Sequence, residues 1–147
     1  MKTIKTELLE IAYFDDGPTN GQTILLLHGW PDDPYGMRPV SELLNKRGFR
    51  TIVPWLRGFG PTRFLHKEAF RDGRGVALAH DAFDLLSALD VDRFFIVGHD
   101  WGARAAYNIA AIAPERLLGV VGLGLPYTPN GKFEVPAFDQ SRLWWYQ

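Results

Sequence analysis

The chain contains no cysteine. Disulfides, thiolate metal sites and cysteine nucleophiles are therefore excluded, and no redox constraint on compartment is visible. Charge of one sign is also missing: 16 Lys and Arg face 17 Asp and Glu, for a formal net charge of -1. That balance calls for neither nucleic acid nor an anionic membrane as a partner. The longest apolar run, Leu117 to Pro126, is too short to span a bilayer. The N-terminal MKTIKTELLE scatters charges along its length and has no apolar h-region, so it does not read as a secretory signal. No internal repeat and no low-complexity segment occur. A soluble, cytoplasmic protein is the expectation. What the chain does have is 147 residues, 46% of them hydrophobic and 22% charged. This is the profile of one globular domain large enough for a single core.

Strand and helix signals alternate along the chain. Thr3 to Phe14 carries two short apolar stretches before the turn cluster Asp15-Asp16-Gly17-Pro18, and reads as an early strand or strands. Gln22 to His28 is a compact apolar run bounded by Gly21 and Gly29, which favours a buried strand. Ser41 to Arg47 reads as a helix closed by Gly48, and Arg50 to Pro54 as a strand leading into the turn RGFGPT. Phe64 to Gly75 is polar and basic, a loop or short helix. Val76 to Leu89 is helical, with Leu78, Ala82, Leu85, Leu86 and Leu89 on one face. Arg93 to Val97 is another strand, Ala103 to Ala113 an alanine-rich helix stopped by Pro114, and Leu117 to Leu125 a last buried strand. The alternation implies an α/β fold, a mainly parallel sheet flanked by helices and joined by right-handed crossovers. After Pro126 the pattern breaks. Residues 1–126 are expected to form the core unit, and 127–147, with the aromatic cluster Trp144-Trp145-Tyr146, to begin a different region.

Gly98-His99-Asp100-Trp101-Gly102 lies between a predicted strand and a predicted helix, the context that a G-x-nucleophile-x-G elbow requires. Small flanking residues let strand and helix approach without a Cβ clash, and the helix points its positive end at whatever sits on the turn. The central residue is Asp rather than Ser. A carboxylate is ionised at neutral pH and needs no base to attack carbon. It is suited to in-line displacement at a saturated carbon, which gives an alkyl-enzyme ester. Hydrolysis of that ester passes through an oxyanion and needs donors for it. The backbone N–H of Trp101 is one candidate, and the N–H of Trp30 in the upstream turn His28-Gly29-Trp30-Pro31 is the other. Taken alone, an Asp in a tight turn is also a good helix N-cap.

Three segments together resemble the epoxide hydrolase and haloalkane dehalogenase branch of the α/β-hydrolase superfamily: HGWP at 28–31, RGFG at 57–60 and GHDWGA at 98–103. The pairing of GHDWGA with HGWP resembles epoxide hydrolases more than dehalogenases. The resemblance implies Asp100 as nucleophile, Trp30 and Trp101 as backbone oxyanion donors, a cis Trp30-Pro31 peptide, and the Trp101 side chain near a small-molecule substrate. It implies a hydrolase of the epoxide hydrolase type that needs no cofactor, with haloalkane dehalogenation as the close alternative. The family carries an acidic residue shortly before its RGxG, where this chain reads Pro54-Trp55-Leu56-Arg57. A complete member also continues through a helical cap into more sheet, bearing a second acid and a histidine base. On that basis the chain is expected to be the N-terminal half of such an enzyme. It would present an open sheet edge inclined to self-association. A non-catalytic fragment that stalls at the ester is the remaining alternative.

The other candidates carry less. His28 and His99 belong to the turns just described, while His66 lies in the polar loop and His80 on a helix. A substitute base among them is conceivable, but packed or solvated histidines are the expectation. His80 and Asp84 stand at i and i+4, yet further ligands at recognisable spacing are missing, so no metal site is assigned. Arg63, His66, Lys67, Arg71 and Arg74 are interleaved with Glu68 and Asp72 and read as a solvated loop. Gly122-Leu123-Gly124 lacks the third glycine of a dinucleotide-binding turn.

Overall fold

The computed structural model describes residues 1–125. Its elements run β1 (Lys2–Lys5), β2 (Leu9–Asp16), β3 (Thr23–Leu27), α1 (Pro34–Asn45), β4 (Arg50–Pro54), β5 (Arg63–Phe64), α2 (Gly75–Ala88), β6 (Phe94–His99), α3 (Trp101–Ile112) and β7 (Leu117–Leu123). The α/β architecture is the expected one. The sheet is mixed, in the order β1-β2-β4-β3-β6-β7, with β5 pairing β2. β3 pairs β4 and β6 in parallel, and β6 pairs β7 in parallel. β2 runs antiparallel to β1, β4 and β5. The parallel part is the part joined through helices. The antiparallel edge comes from the N-terminal segment, whose strands are joined without a crossover helix.

The run in β3 is buried along its whole length because it is paired on both edges and covered on both faces. Successive side chains of a strand point to opposite faces. Leu25 and Leu27 join the cluster made by Leu78, Ala82, Leu85 and Leu86 of α2 with Ala105, Ala106 and Ile109 of α3. Ile24 and Leu26 join Met37 of α1 with Phe14, Val53 and Trp55. The sheet is thus sandwiched, with α1 on one face and α2 and α3 on the other.

Two expectations are corrected, one of a boundary and one of burial. α1 starts at Pro34 rather than Ser41, because Asp33 caps it by accepting the Tyr35 N–H at 2.8 Å and Pro34 supplies a helical φ at the first position. Pro39 inside that helix masks its length in the sequence. β7, expected to be buried, leaves Val120, Val121 and Leu123 38%, 49% and 48% exposed. Among the described residues it pairs with β6 alone. Residues 127–147, expected to begin a different region, lie outside the described residues. Among the described residues no helix is long and apolar enough to cross a membrane.

An ion cluster ties the antiparallel edge together. The Asp15 carboxylate accepts from Arg50 Nε at 2.8 Å and Nη2 at 3.2 Å, and from Lys2 Nζ at 2.8 Å. Burial pushes the Asp15 carboxyl up, but the Arg50 and Lys2 hydrogen bonds outweigh it and hold the group below its ordinary value. A depressed folded-state pKa gives stability that is present above the ordinary carboxylate value and lost as pH falls through the folded one. Asp15→Asn is therefore expected to lower unfolding free energy at pH 7 by about 1–2 kcal/mol. In urea melts that gap should close towards pH 3, and a gap independent of pH would contradict the assignment.

Candidate active site

β6 ends at His99 and α3 begins at Trp101, so Asp100 alone makes the turn between strand and helix. Its backbone lies at φ 52°, ψ -111°. This is the conformation of the first central residue of a type II′ turn, a position that normally takes glycine. An aspartate held there is strained, and such strain clusters at functional sites. The turn is fixed from several sides. The Asp100 N–H donates to the Leu123 carbonyl at 2.9 Å, and the Asp100 carbonyl accepts from the N–H groups of Ala103 and Arg104 at 2.9 and 3.1 Å.

The glycines around the turn are needed because neighbouring backbone and the Asp100 side chain pass too close for another side chain. A Cβ on Gly98 would collide with the Gly102 carbonyl, and one on Gly102 with the Leu27 carbonyl at the end of β3. A Cβ on Gly29 would collide with the Asp100 side chain itself. Gly102→Ala forces α3 away from β3 and is expected to cost about 3 kcal/mol, at the upper end for overpacking by one methyl. Gly48→Ala is the comparison: open space surrounds that site, but its φ of +86° alone disfavours a side chain. Equal losses in chemical denaturation would mean that strand–helix contact is not what demands Gly102.

The second half of the site comes from the turn after β3. The Trp30-Pro31 peptide is cis, as the resemblance implied. The Trp30 N–H donates to Asp100 Oδ2 at 3.0 Å across a separation of 70 residues. Trp101 stands at the first position of α3, where a backbone N–H has no intrahelical acceptor. The structure thus brings together Asp100 with both residues singled out in the sequence as backbone donors. Trp101 and Trp30, which flank the turn, are 36% and 56% exposed.

His28 holds this turn from beneath. It is fully buried, its Nε2 accepts the Leu56 N–H at 3.1 Å, and its Nδ1 faces the Gly29 carbonyl at 3.1 Å. Accepting at Nε2 assigns the proton to Nδ1, and burial pushes the ring's pKa down. His28 is thus a neutral strut and not a base. Of the other histidines, His99 packs beside Gly124 and His80 beside Phe83. Among the described residues no group of three His, Cys, Asp or Glu side chains is placed to hold a metal ion. The basic stretch is largely neutralised in place: Arg63 pairs with Glu10, Arg74 with Asp72 at 2.7 Å, and the Arg71 guanidinium stacks 3.9 Å from the Phe64 ring centroid.

One buried pair escaped the sequence reading. Arg57 of the RGFG segment donates from Nε and Nη2 to the two Asp81 carboxylate oxygens, both at 2.6 Å, and from Nη1 to the Asp72 carbonyl at 2.7 Å. The guanidinium ties the loop after β4 to α2. A signal was present: Asp81 falls between Leu78, Ala82 and Leu85 on the apolar face of α2, where an acid requires a buried partner.

Residues 22–147 match the alpha/beta hydrolase fold family. An epoxide hydrolase of Caballeronia sordidicola is 35% identical over 125 residues, 83% of this chain and 36% of that protein. A crystal structure from Klebsiella pneumoniae superposes with a TM-score of 0.87 at 37% identity, covering 99% of this chain and 49% of that one. An epoxide hydrolase from Vigna radiata superposes with a TM-score of 0.81 at 29% identity, covering 97% and 45%. The chain therefore spans between about a third and a half of the length of these relatives. The family match over residues 22–147, with the strand–Asp100–helix turn inside it, makes this chain a member of the alpha/beta hydrolase fold family.

Proposed function

We propose that this chain carries the nucleophilic half of an epoxide hydrolase, with Asp100 as the attacking group. The observation that carries the reading is the Trp30 N–H at 3.0 Å from Asp100 Oδ2. It occupies one carboxylate oxygen and leaves Oδ1 to attack. As the Oδ1–carbon bond forms, the epoxide carbon–oxygen bond breaks, and the freed alkoxide takes a proton from solvent. Oδ2 becomes the ester carbonyl, already facing a donor. In the hydrolytic step its negative charge develops against that N–H and the Trp101 N–H at the head of α3. The exposed indoles of Trp30 and Trp101 form the walls against which a small organic substrate packs. Epoxide hydrolases from Caballeronia sordidicola and Vigna radiata among the relatives support the substrate class.

Among the described residues no histidine is hydrogen-bonded to a carboxylate in a way that could activate water. Incubation with styrene oxide followed by mass measurement is expected to show one adduct per chain, heavier by the whole epoxide and absent in Asp100→Ala. A 1-haloalkane would instead add its alkyl group without the halogen, so the mass separates the dehalogenase alternative. Sustained turnover would reveal a base outside this account, and an adduct that survives Asp100→Ala would sink the assignment.

The chain is read as cytoplasmic, and as self-associating through the outer edge of β7, where Val121 and Leu123 stand exposed. Sedimentation should show concentration-dependent association that Val121→Lys weakens. Association unaffected by that change places the contact elsewhere.

A further inference from the structure

Arg104 is a cation in the first turn of a helix, the end where positive charge is disfavoured. Among the described residues its guanidinium makes no ion pair and no side-chain hydrogen bond. It lies instead over the Trp101 indole, 5.0 Å from the ring centroid. The two residues stand three apart on α3 and so share a face. The stem of Arg104 is backed by the start of α2: a Cβ on Gly75 would lie 3.2 Å from Arg104 Cβ. That wall closes one side of the stem and leaves the side chain the direction of the indole.

We propose that Arg104 is a positioning residue that acts through Trp101, holding the indole in one rotamer beside Asp100 so that it presents a fixed wall to the substrate. This rests on the reading of Asp100 as the nucleophile and of Trp101 as part of the pocket. Among the described residues no other ring packs on Trp101, and an indole so placed at the solvent boundary samples several staggered rotamers. A guanidinium on one face selects among them and leaves the opposite face for the ligand. The effect falls on how well substrate is held and not on the rate of attack, because Arg104 is not among the groups bonded to the Asp100 carboxylate.

The test uses the chain labelled with 5-fluorotryptophan, with the Trp101 fluorine line assigned by Trp101→Phe. Arg104→Met keeps side-chain length and removes the charge, whereas Arg104→Lys keeps a cation. The Met variant is expected to shift and broaden the Trp101 line while the other tryptophan lines stay in place, which also shows that the fold is intact. The Lys variant should retain most of the parent position. In labelling by styrene oxide, the half-saturating concentration should rise about three-fold in the Met variant, as expected for loss of one exposed cation–π contact. The maximal rate should change less than about two-fold, and Lys should restore most of the difference. An unmoved Trp101 line in the Met variant overturns the proposal, as does a fall in maximal rate at unchanged half-saturation. Failure of styrene oxide to label the parent chain at Asp100 overturns the nucleophile reading instead, and the Trp101 line then decides the role of Arg104 by itself.

Discussion

Replacing Asp100 by glycine is expected to make the chain more stable and to abolish the styrene oxide adduct proposed to form there. The backbone at φ 52°, ψ -111° is one that a residue with a Cβ adopts only under constraint. Glycine enters it freely. Relief of that strain is worth about 1–2 kcal/mol, reduced somewhat by the extra freedom glycine has in the unfolded chain. The carboxylate does little to offset the strain: among the described residues it caps no amide of α3 and accepts only from Trp30 N–H, in an exposed turn where water can replace it. Asp100→Asn is the control, because it keeps the Cβ and most of the strain but removes the carboxylate. Both variants should lose covalent labelling by about a thousand-fold or more. Only the glycine variant should melt higher, by a few degrees for a domain of this size. A glycine variant no more stable than the asparagine variant would mean that the turn is not held against its own preference.

Arg57→Met is expected to produce the largest loss of stability, about 3–5 kcal/mol near pH 8, because it leaves a carboxylate buried without its partner. Asp81 lies among Leu78, Ala82 and Leu85, and burial pushes its carboxyl above the ordinary value even with Arg57 in place. The Arg57 hydrogen bonds oppose that rise and hold the guanidinium charged. Without Arg57 the opposing contribution is gone and the carboxyl moves further up. A raised folded-state pKa means that the folded chain binds more protons than the unfolded one in this window, so falling pH favours folding. The deficit of Arg57→Met should therefore shrink as pH is lowered from 8 towards 5. Adding Asp81→Leu to Arg57→Met should recover most of the loss, since an apolar pair satisfies the site as well as an ionic one. Equal deficits at both pH values, with no recovery in the double variant, would place the cost in the Arg57–Asp72 contact.

Much of this molecule was legible as local pattern. The run at 23–27 announced a strand buried on both faces, and the spacing of Leu78, Ala82, Leu85 and Leu86 announced α2, because strand and helix periods are properties of neighbouring residues. Gly98 to Gly102 announced a tight strand-to-helix turn for the same reason. α1 was half hidden because Pro39 contradicts the helix it sits in, and only the Asp33 cap and packing of Met37 under the sheet override it. The exposure of β7 was not legible either. An apolar strand reads as buried whether or not anything covers it, and coverage depends on distant elements.

For the site, the sequence by itself determined the chemistry available: a carboxylate on an elbow, two tryptophans next to glycines, no thiol, and no obvious metal set. Those are matters of residue identity and near spacing. Tertiary structure alone decided that the Trp30 N–H reaches Asp100 Oδ2, that His28 is locked as a neutral strut against Leu56, and that Arg57 finds Asp81. Each joins residues 24 to 70 positions apart, where the sheet order β4-β3-β6 and not the chain sets who meets whom. Asp100 could be proposed as a nucleophile from its neighbours in sequence. That it is aimed, strained and partly occupied by a donor is a consequence of two parallel strands ending side by side.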